Sequence, residues 1–312
     1  MDGHTTELYY TVWGANALDL DLIAGPEAAC RQIRRLYDPT ENLLEPGWTE
    51  AAALIDIPRR MLAVFSWHCE GYAHRAALRA VLAQTWPGWN LRWAYTGIED
   101  IARYSGVPGW PGGRTGLSPS WDVVDPTDLA TLDEVDSLVT VAQEGGSTRA
   151  YGMWSDVTDV FWAGPTLLES LSDSAGITTL PRLPLTGLHL EPATREAIGW
   201  TTLEVAGLAD DWPQRWPGWR LEFHNDRYES QLARCAGGLV VPTPTLDAGL
   251  DVLTRRLADF STSPEAARSS RVPADLAPVN AAIRQSRTLP AEAPRWPGLT
   301  QAVSVATRAD RS

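Results

Sequence analysis

The sequence predicts an α+β protein of two similar modules in tandem, followed by a C-terminal helix and a tail. Three observations predict it: a repeated tetrapeptide in matched surroundings, a mixture of period-two and helical apolar spacings, and two turn-rich stretches that partition the chain. Trp86-Pro87-Gly88-Trp89 recurs as Trp216-Pro217-Gly218-Trp219. Upstream, Trp67 answers Trp200 and Gly25-Pro26 answers Gly164-Pro165, so the anchors keep one order at offsets of 139, 133 and 130 residues. Ordered anchors with a slowly drifting offset point to duplication with small deletions. A near-copy, Arg295-Trp296-Pro297-Gly298-Leu299, shows that a Trp-rich chain also produces such a match outside the repeat.

Each element of the first module has a local reason. Leu8 to Trp13 reads as a strand. Ala17 to Ala24 reads as another, because Leu18, Leu20 and Leu22 alternate with Asp19 and Asp21; this places the acids on a solvated face. Pro26-Glu27 opens a helix, since Pro tolerates the first turn and Glu favours the dipole there; Cys30, Ile33 and Tyr37 share one side of it. Leu54 to Ile57 and Met61 to Trp67 form a hairpin across Pro58-Arg59-Arg60. His74 to Thr85 carries Leu78, Val81, Leu82 and Thr85 at helical spacing, and Pro87-Gly88 stops it before a strand at Leu91, Trp93 and Tyr95. A short helix, Ile98 to Gly106, completes a ββαββαβα order with antiparallel or mixed sheets.

The second module follows the same plan. Leu138 to Ala142 and Arg149 to Trp154 flank the hairpin signal Glu144-Gly145-Gly146. Pro165 to Leu171 is a helix, Leu188 to Trp200 a hairpin, and Leu208 to Trp216 a helix interrupted by Pro213. A strand at Leu221 and Phe223 precedes a helical stretch from Arg227 to Gly237. Leu246, Leu250, Leu253 and Leu257 then define an amphipathic helix. The expected domains are therefore a first module at 1–106, a Gly/Pro/Ser-rich linker at 107–136, a second module with its C-terminal helix at 137–261, and a Pro/Ala/Ser/Arg-rich tail at 262–312, mobile or draped over the surface.

Composition narrows the function. Acidic residues outnumber basic ones 39 to 26, a formal charge of -13, and every basic residue is Arg. That field opposes nucleic acid or an anionic membrane as the main partner and selects a basic protein or peptide instead. No stretch has signal-peptide form or the length of a membrane span, and three cysteines, Cys30, Cys69 and Cys235, suit a reducing cytoplasm. The sequence leaves the oligomeric state open.

Fifteen tryptophans are the most unusual feature. Trp67, Trp86, Trp89, Trp200, Trp216 and Trp219 lie where helices meet strands in the repeat, and read as structural plugs. Trp110, Trp121 and Trp296 lie in Pro/Gly-rich segments and read as exposed binding residues. His68-Cys69-Glu70-Gly71-Tyr72-Ala73-His74 is the densest group of chemically capable side chains, and His224 with Asp226 forms a second. His68, Cys69, Glu70, His74, His224 and Asp226 are the candidates for chemistry, but none is assigned as catalytic. Neighbouring strand residues point to opposite faces, which separates His68 from Cys69. No ligand spacing matches a zinc motif, and no phosphate loop, nucleotide fingerprint or nucleophile elbow is present, so no metal and no cofactor is expected. Asp19, Asp21 and Asp56 would gather only if the two hairpins shared a sheet.

In size, acidity and tryptophan content the chain resembles bacterial immunity proteins that neutralise toxins by binding; the resemblance covers no motif. The expected function is protein binding, in a bacterial cytoplasm, through an acidic, Trp-containing surface or intermodule groove. The alternatives are a small-molecule enzyme with its site between the modules, and a structural or self-assembling protein.

Overall fold

The computed structural model describes residues 7–11, 17–43, 49–69, 71–107, 119–127, 132–155, 158–262, 276–290, 294–299 and 304–305. The fold is α+β with mixed and antiparallel sheets, and the chain divides into two compact units. Unit 1 is Met1–Pro111 with Pro244–Thr300, and unit 2 is Gly112–Thr243 with Gln301–Ser312.

Unit 1 starts with a short strand β1 (Leu8–Tyr10), then helices α1 (Leu18–Leu22) and α2 (Pro26–Leu36), and β2 (Asp38–Thr40), which pairs antiparallel with β1. Strands β3 (Ala51–Asp56) and β4 (Met61–Ser66) form the expected hairpin, and helix α3 (Tyr72–Thr85) leads into β5 (Asn90–Trp93) and α4 (Ile98–Ser105). Strand β5 lies parallel to β4, giving a three-stranded sheet in the order β3-β4-β5. Because α1 is a helix and β2 an added strand, the ββαββαβα order is corrected here. The alternation of Leu18 to Leu22 misleads because both acids are buried with partners, so a period of two never meets solvent. Asp19 receives the Arg256 guanidinium and Asp21 the Tyr37 hydroxyl at 2.7 Å.

Unit 2 contains a seven-stranded sheet in the order β12-β11-β10-β9-β7-β8-β6. Its strands are β6 (Trp121–Val123), β7 (Ser137–Ala142), β8 (Thr148–Ser155), β9 (Thr186–Glu191), β10 (Glu196–Thr201), β11 (Arg220–Phe223) and β12 (Ser304–Val305). Helices α5 (Thr166–Leu171), α6 (Leu208–Arg215) and α7 (Glu229–Leu232) accompany it. The expected linker at 107–136 is thus corrected in part: Trp121 to Val123 is a strand paired with β8, too short for its alternation to be read from sequence.

Two further boundaries change. Helix α8 (Leu246–Thr262) packs on α3 in unit 1 instead of completing the second module. The expected tail supplies another helix, α9 (Ala277–Ser286), whose Val279, Ala282 and Ile283 join Leu246, Leu250, Leu253, Leu257, Ala77, Ala80 and Val81 in one core. Helix α9 gives this core only Val279 and Ile283 as larger apolar side chains, too few to announce a helix in sequence. Downstream, Trp296 is buried, its indole donates to the Arg75 carbonyl at 2.7 Å, and its ring stands edge-on to Trp93 at 5.3 Å. Its expected exposure is corrected: this near-copy of the repeat is a plug.

One local construction occurs in both units. The Trp86 indole donates to the Leu22 carbonyl at 2.8 Å, and the Trp216 indole to the Phe161 carbonyl at 2.8 Å. Both rings are at most 1% exposed. A β-carbon on Gly25 would lie 2.8 Å from the Thr85 carbonyl oxygen, and one on Gly164 would lie 2.7 Å from that of Arg215; both glycines have positive φ. The hairpin turn accepts from the strand after the repeat in each case, Asn90 N–H to Arg60 O at 2.7 Å and Arg220 N–H to Arg195 O at 2.9 Å. Strand β11 runs parallel to β10 as β5 does to β4. The neighbouring Trp89 is half-buried, whereas its counterpart Trp219 is 5% exposed.

Replacing Trp86 or Trp216 by Ala should each cost about 3–5 kcal/mol, the scale of a large buried aromatic. Gly25→Ala and Gly164→Ala should each destabilise by about 1–3 kcal/mol or more, from backbone strain alone. Urea unfolding of the four variants checks both, and wild-type midpoints for either pair would show the construction to be incidental.

Candidate functional site

The dense His/Cys segment sits where β4 gives way to α3, and the structure divides it. His68 is half-buried and its Nε2 lies 3.4 Å from Glu50 Oε2. Cys69 is fully buried, with Sγ 4.0 Å from His74 Nε2, and that nitrogen is 4.0 Å from Asp19 Oδ2. Glu70 lies outside the described residues. Helix α8 closes the cluster: Arg256 Nε donates to Asp19 Oδ2 at 2.8 Å and its terminal nitrogen to Oδ1 at 3.0 Å. Asp19 and Arg256 are the members that sequence reasoning missed, because one was read as solvated and the other stands 237 residues away.

The surroundings of this cluster disfavour the thiolate that nucleophilic attack would need. Burial, reinforced by the Asp19 carboxylate, pushes the Cys69 thiol well up, so it is held protonated. Burial lowers the His74 pKa and favours the neutral ring, against the pull of Asp19. The donor atoms of Asp19, Cys69 and His74 lie within 4.8 Å of one another, a set that a soft divalent cation could use. Such an ion would compete for the Asp19 carboxylate with Arg256, which already donates to both of its oxygens. Asp56 lies apart from this group, bound to Arg59 at 2.9 Å and to the Tyr104 hydroxyl at 3.2 Å.

In unit 2, His224 is half-buried and pairs with Glu222 at 2.9 Å, while Asp226 is buried. A more ordered network, absent from the sequence reading, runs through Gln231, which is fully buried. Its Oε1 accepts the Trp200 indole at 2.6 Å, and its Nε2 lies 3.0 Å from the Leu138 and Leu188 carbonyls and from Thr140 Oγ1. With Thr140 Oγ1 accepting there, its hydroxyl proton is available to His189 Nδ1 at 2.9 Å. The other ring nitrogen of His189 then faces Glu191 at 3.4 Å. Burial lowers the His189 pKa, and with Thr140 fully buried this line of groups ties strands together.

The accessible aromatic surface of unit 2 is on β6 and β8. Trp154 is 54% exposed and directly opposite the exposed Asp122 in the antiparallel register. Trp121 is half-buried, its indole donating to Ser170 Oγ at 3.2 Å. Strand β6 is an outer strand of the sheet, with no partner on its other side among the described residues. Other exposed acids of unit 2 are Asp125 after β6, its pKa lowered by hydrogen bonds from Thr127, and Asp133 and Glu134 ahead of β7. Trp110, expected to be exposed, lies outside the described residues.

Unit 1 presents an open groove of about 620 Å³ between α2, the β3–β4 turn and the repeat. Ile57 and Trp89 contribute apolar surface to it, and Arg31, Arg34 and Arg60 contribute charge.

Among the described residues no helix is long and apolar enough to cross a membrane. No protein-family model, curated protein or solved structure matches the chain.

Acid should destabilise the fold through the buried imidazoles. The unfolded chain takes up protons at about pH 6.5, whereas burial makes the folded chain resist protonation there. Their contribution is therefore complete above that pH and is lost as pH falls through the lower folded values. Urea unfolding between pH 7.5 and 5 should show this loss, and His74→Gln should reduce its slope; an unchanged slope would show that His74 titrates normally. Thiol access gives a second check. At alkaline pH, iodoacetamide should modify the half-buried Cys30 and spare Cys69 and Cys235 until the protein is unfolded.

Proposed function

We propose that the chain is a cytoplasmic protein-binding module that captures a basic, extended segment of a partner on the outer β6 strand of unit 2. The observation that carries this reading is Trp154, a large aromatic left 54% exposed beside Asp122 on that edge. An exposed indole offers its face to Arg or Lys, and the adjacent carboxylate supplies the opposite charge. A strand edge with no partner among the described residues offers main-chain donors and acceptors to an incoming strand, with register set by alternate side chains. The net charge of -13 favours the encounter from a distance, while the patch fixes where the partner stops.

Several features support the reading. The Cys69 and His74 side chains are buried, and neither the unit 1 groove nor a small depression of about 70 Å³ beside His189 is lined by them. Three free thiols suit a reducing compartment. The shared construction around Trp86 and Trp216 supports descent of both units from one duplicated segment, of which unit 2 acquired the binding edge.

Trp154→Ala and Asp122→Lys should each weaken capture of a partner by about tenfold or more while leaving the melting temperature near wild type. Partner isolated by affinity capture from the source cells and then purified gives the binding curve. Equal affinity of wild type and both variants would reject this edge as the contact surface.

A further inference from the structure

The groove of unit 1 has the opposite character to the β6 edge and is not explained by it. Its lining includes Ile57 and Trp89 for apolar contact, with Arg31, Arg34 and Arg60 against Glu27 for charge. Ile57 is 58% exposed and helix α2 exposes Arg31 and Arg34, so apolar and cationic side chains meet at the groove. Arg31 reaches Glu27 at 3.8 Å and Arg34 reaches Glu7 at 3.0 Å, both through largely exposed side chains that an incoming acid can replace at small cost. Arg60 has no ion-pair partner among the described residues. In a chain of net charge -13, this grouping is a local reversal of sign.

The groove is also not a by-product of the shared construction. Trp219, the counterpart of Trp89, is buried at 5% exposure, and the counterpart of α2 is the six-residue helix α5. Unit 1 alone keeps both the long helix and the open indole.

We propose that this groove docks an acidic segment of a partner protein that also carries an apolar side chain. Carboxylates would pair with Arg60 and compete for Arg31 and Arg34, and the apolar group would cover Ile57 and Trp89. A simple anion would satisfy the guanidiniums but leave that apolar floor in water. The volume accommodates several side chains of a peptide. This proposal concerns unit 1 and stands or falls independently of the β6 edge.

The test uses the full chain and a short fluorescein-labelled peptide of alternating Glu and Leu, with Lys-for-Glu and Ser-for-Leu peptides as controls. Fluorescence polarisation should show that only the Glu/Leu peptide binds, about fivefold more weakly when salt rises from about 50 to 300 mM. Arg60→Glu and Ile57→Asp should each reduce binding by about tenfold or more. Both residues are exposed, so thermal unfolding should stay at the wild-type temperature, and Trp154→Ala should bind the peptide normally. Several results would overturn the proposal: no binding at millimolar peptide, equal binding of the Lys peptide, or indifference to both substitutions in folded protein. Concentration-dependent self-association by sedimentation, abolished by Arg60→Glu without peptide, would also overturn it, assigning the groove to a second copy of the chain.

Discussion

The indole N–H of Trp86 ends on the carbonyl of Leu22, 64 residues earlier, and much of unit 1 follows from that bond. It fixes the end of α3 against the end of α1, and the chain can bring these ends together only because Gly25 lacks a β-carbon beside the Thr85 carbonyl. Once α3 is placed, the turn at Pro87-Gly88 delivers β5 parallel to β4, and Trp89 N–H closes the turn on the Trp86 carbonyl. A buried indole without that acceptor would lose the hydrogen bond as well as packing, so ring and carbonyl are retained together. The same bond from Trp216 to Phe161 orders the corresponding part of unit 2.

The two units differ in what they add to this shared frame. Unit 1 surrounds α3 with α8 and α9, recruited from the end of the chain, and places the Asp19–Arg256 pair near the Cys69 thiol. Asp19 is fully buried, so removal of Arg256 would leave its charge in a poor solvent. Unit 2 instead widens the sheet, with β7, β8 and β6 extending outward from the β9–β10 hairpin. Gln231 then supplies, at the centre of that sheet, hydrogen bonds to groups on β7, β9 and β10.

Legibility in the sequence followed the range of the interactions involved. Hairpins β3–β4, β7–β8 and β9–β10, helix α3 and the strand after each repeat were readable because turn residues and apolar spacing specify them locally. Helix α1 was not, because five residues alternating Leu and Asp satisfy a strand pattern, and partners remote in sequence, Arg256 and Tyr37 among them, make burial of the acids tolerable. Helix α9 was hidden by its small residues. At the candidate sites, Cys69 and His74 stood out by proximity in sequence, but their sealing by Asp19 and Arg256 did not. Trp154 was missed as a surface residue because Tyr151 and Met153 beside it are core; the outward turn of the indole depends on the pairing of β6, itself invisible in three residues.

Net charge was the sequence property with the widest reach and the least spatial content. A value of -13 describes the field that a distant partner meets, and at physiological salt that field is screened beyond about 8 Å. Within that distance the arrangement of side chains decides, and here it differs between the units: Asp122 stands beside an open indole in one, while Arg31, Arg34 and Arg60 edge an apolar groove in the other. A chain with no lysine makes the contrast sharper, because each cationic contact is a guanidinium, able to stack on an aromatic face and to bind a carboxylate through two N–H groups. The same side chain therefore serves opposite ends of the problem. Arg256 neutralises a buried acid within the fold, and Arg60, with no ion-pair partner among the described residues, presents its guanidinium at the surface beside Ile57 and Trp89.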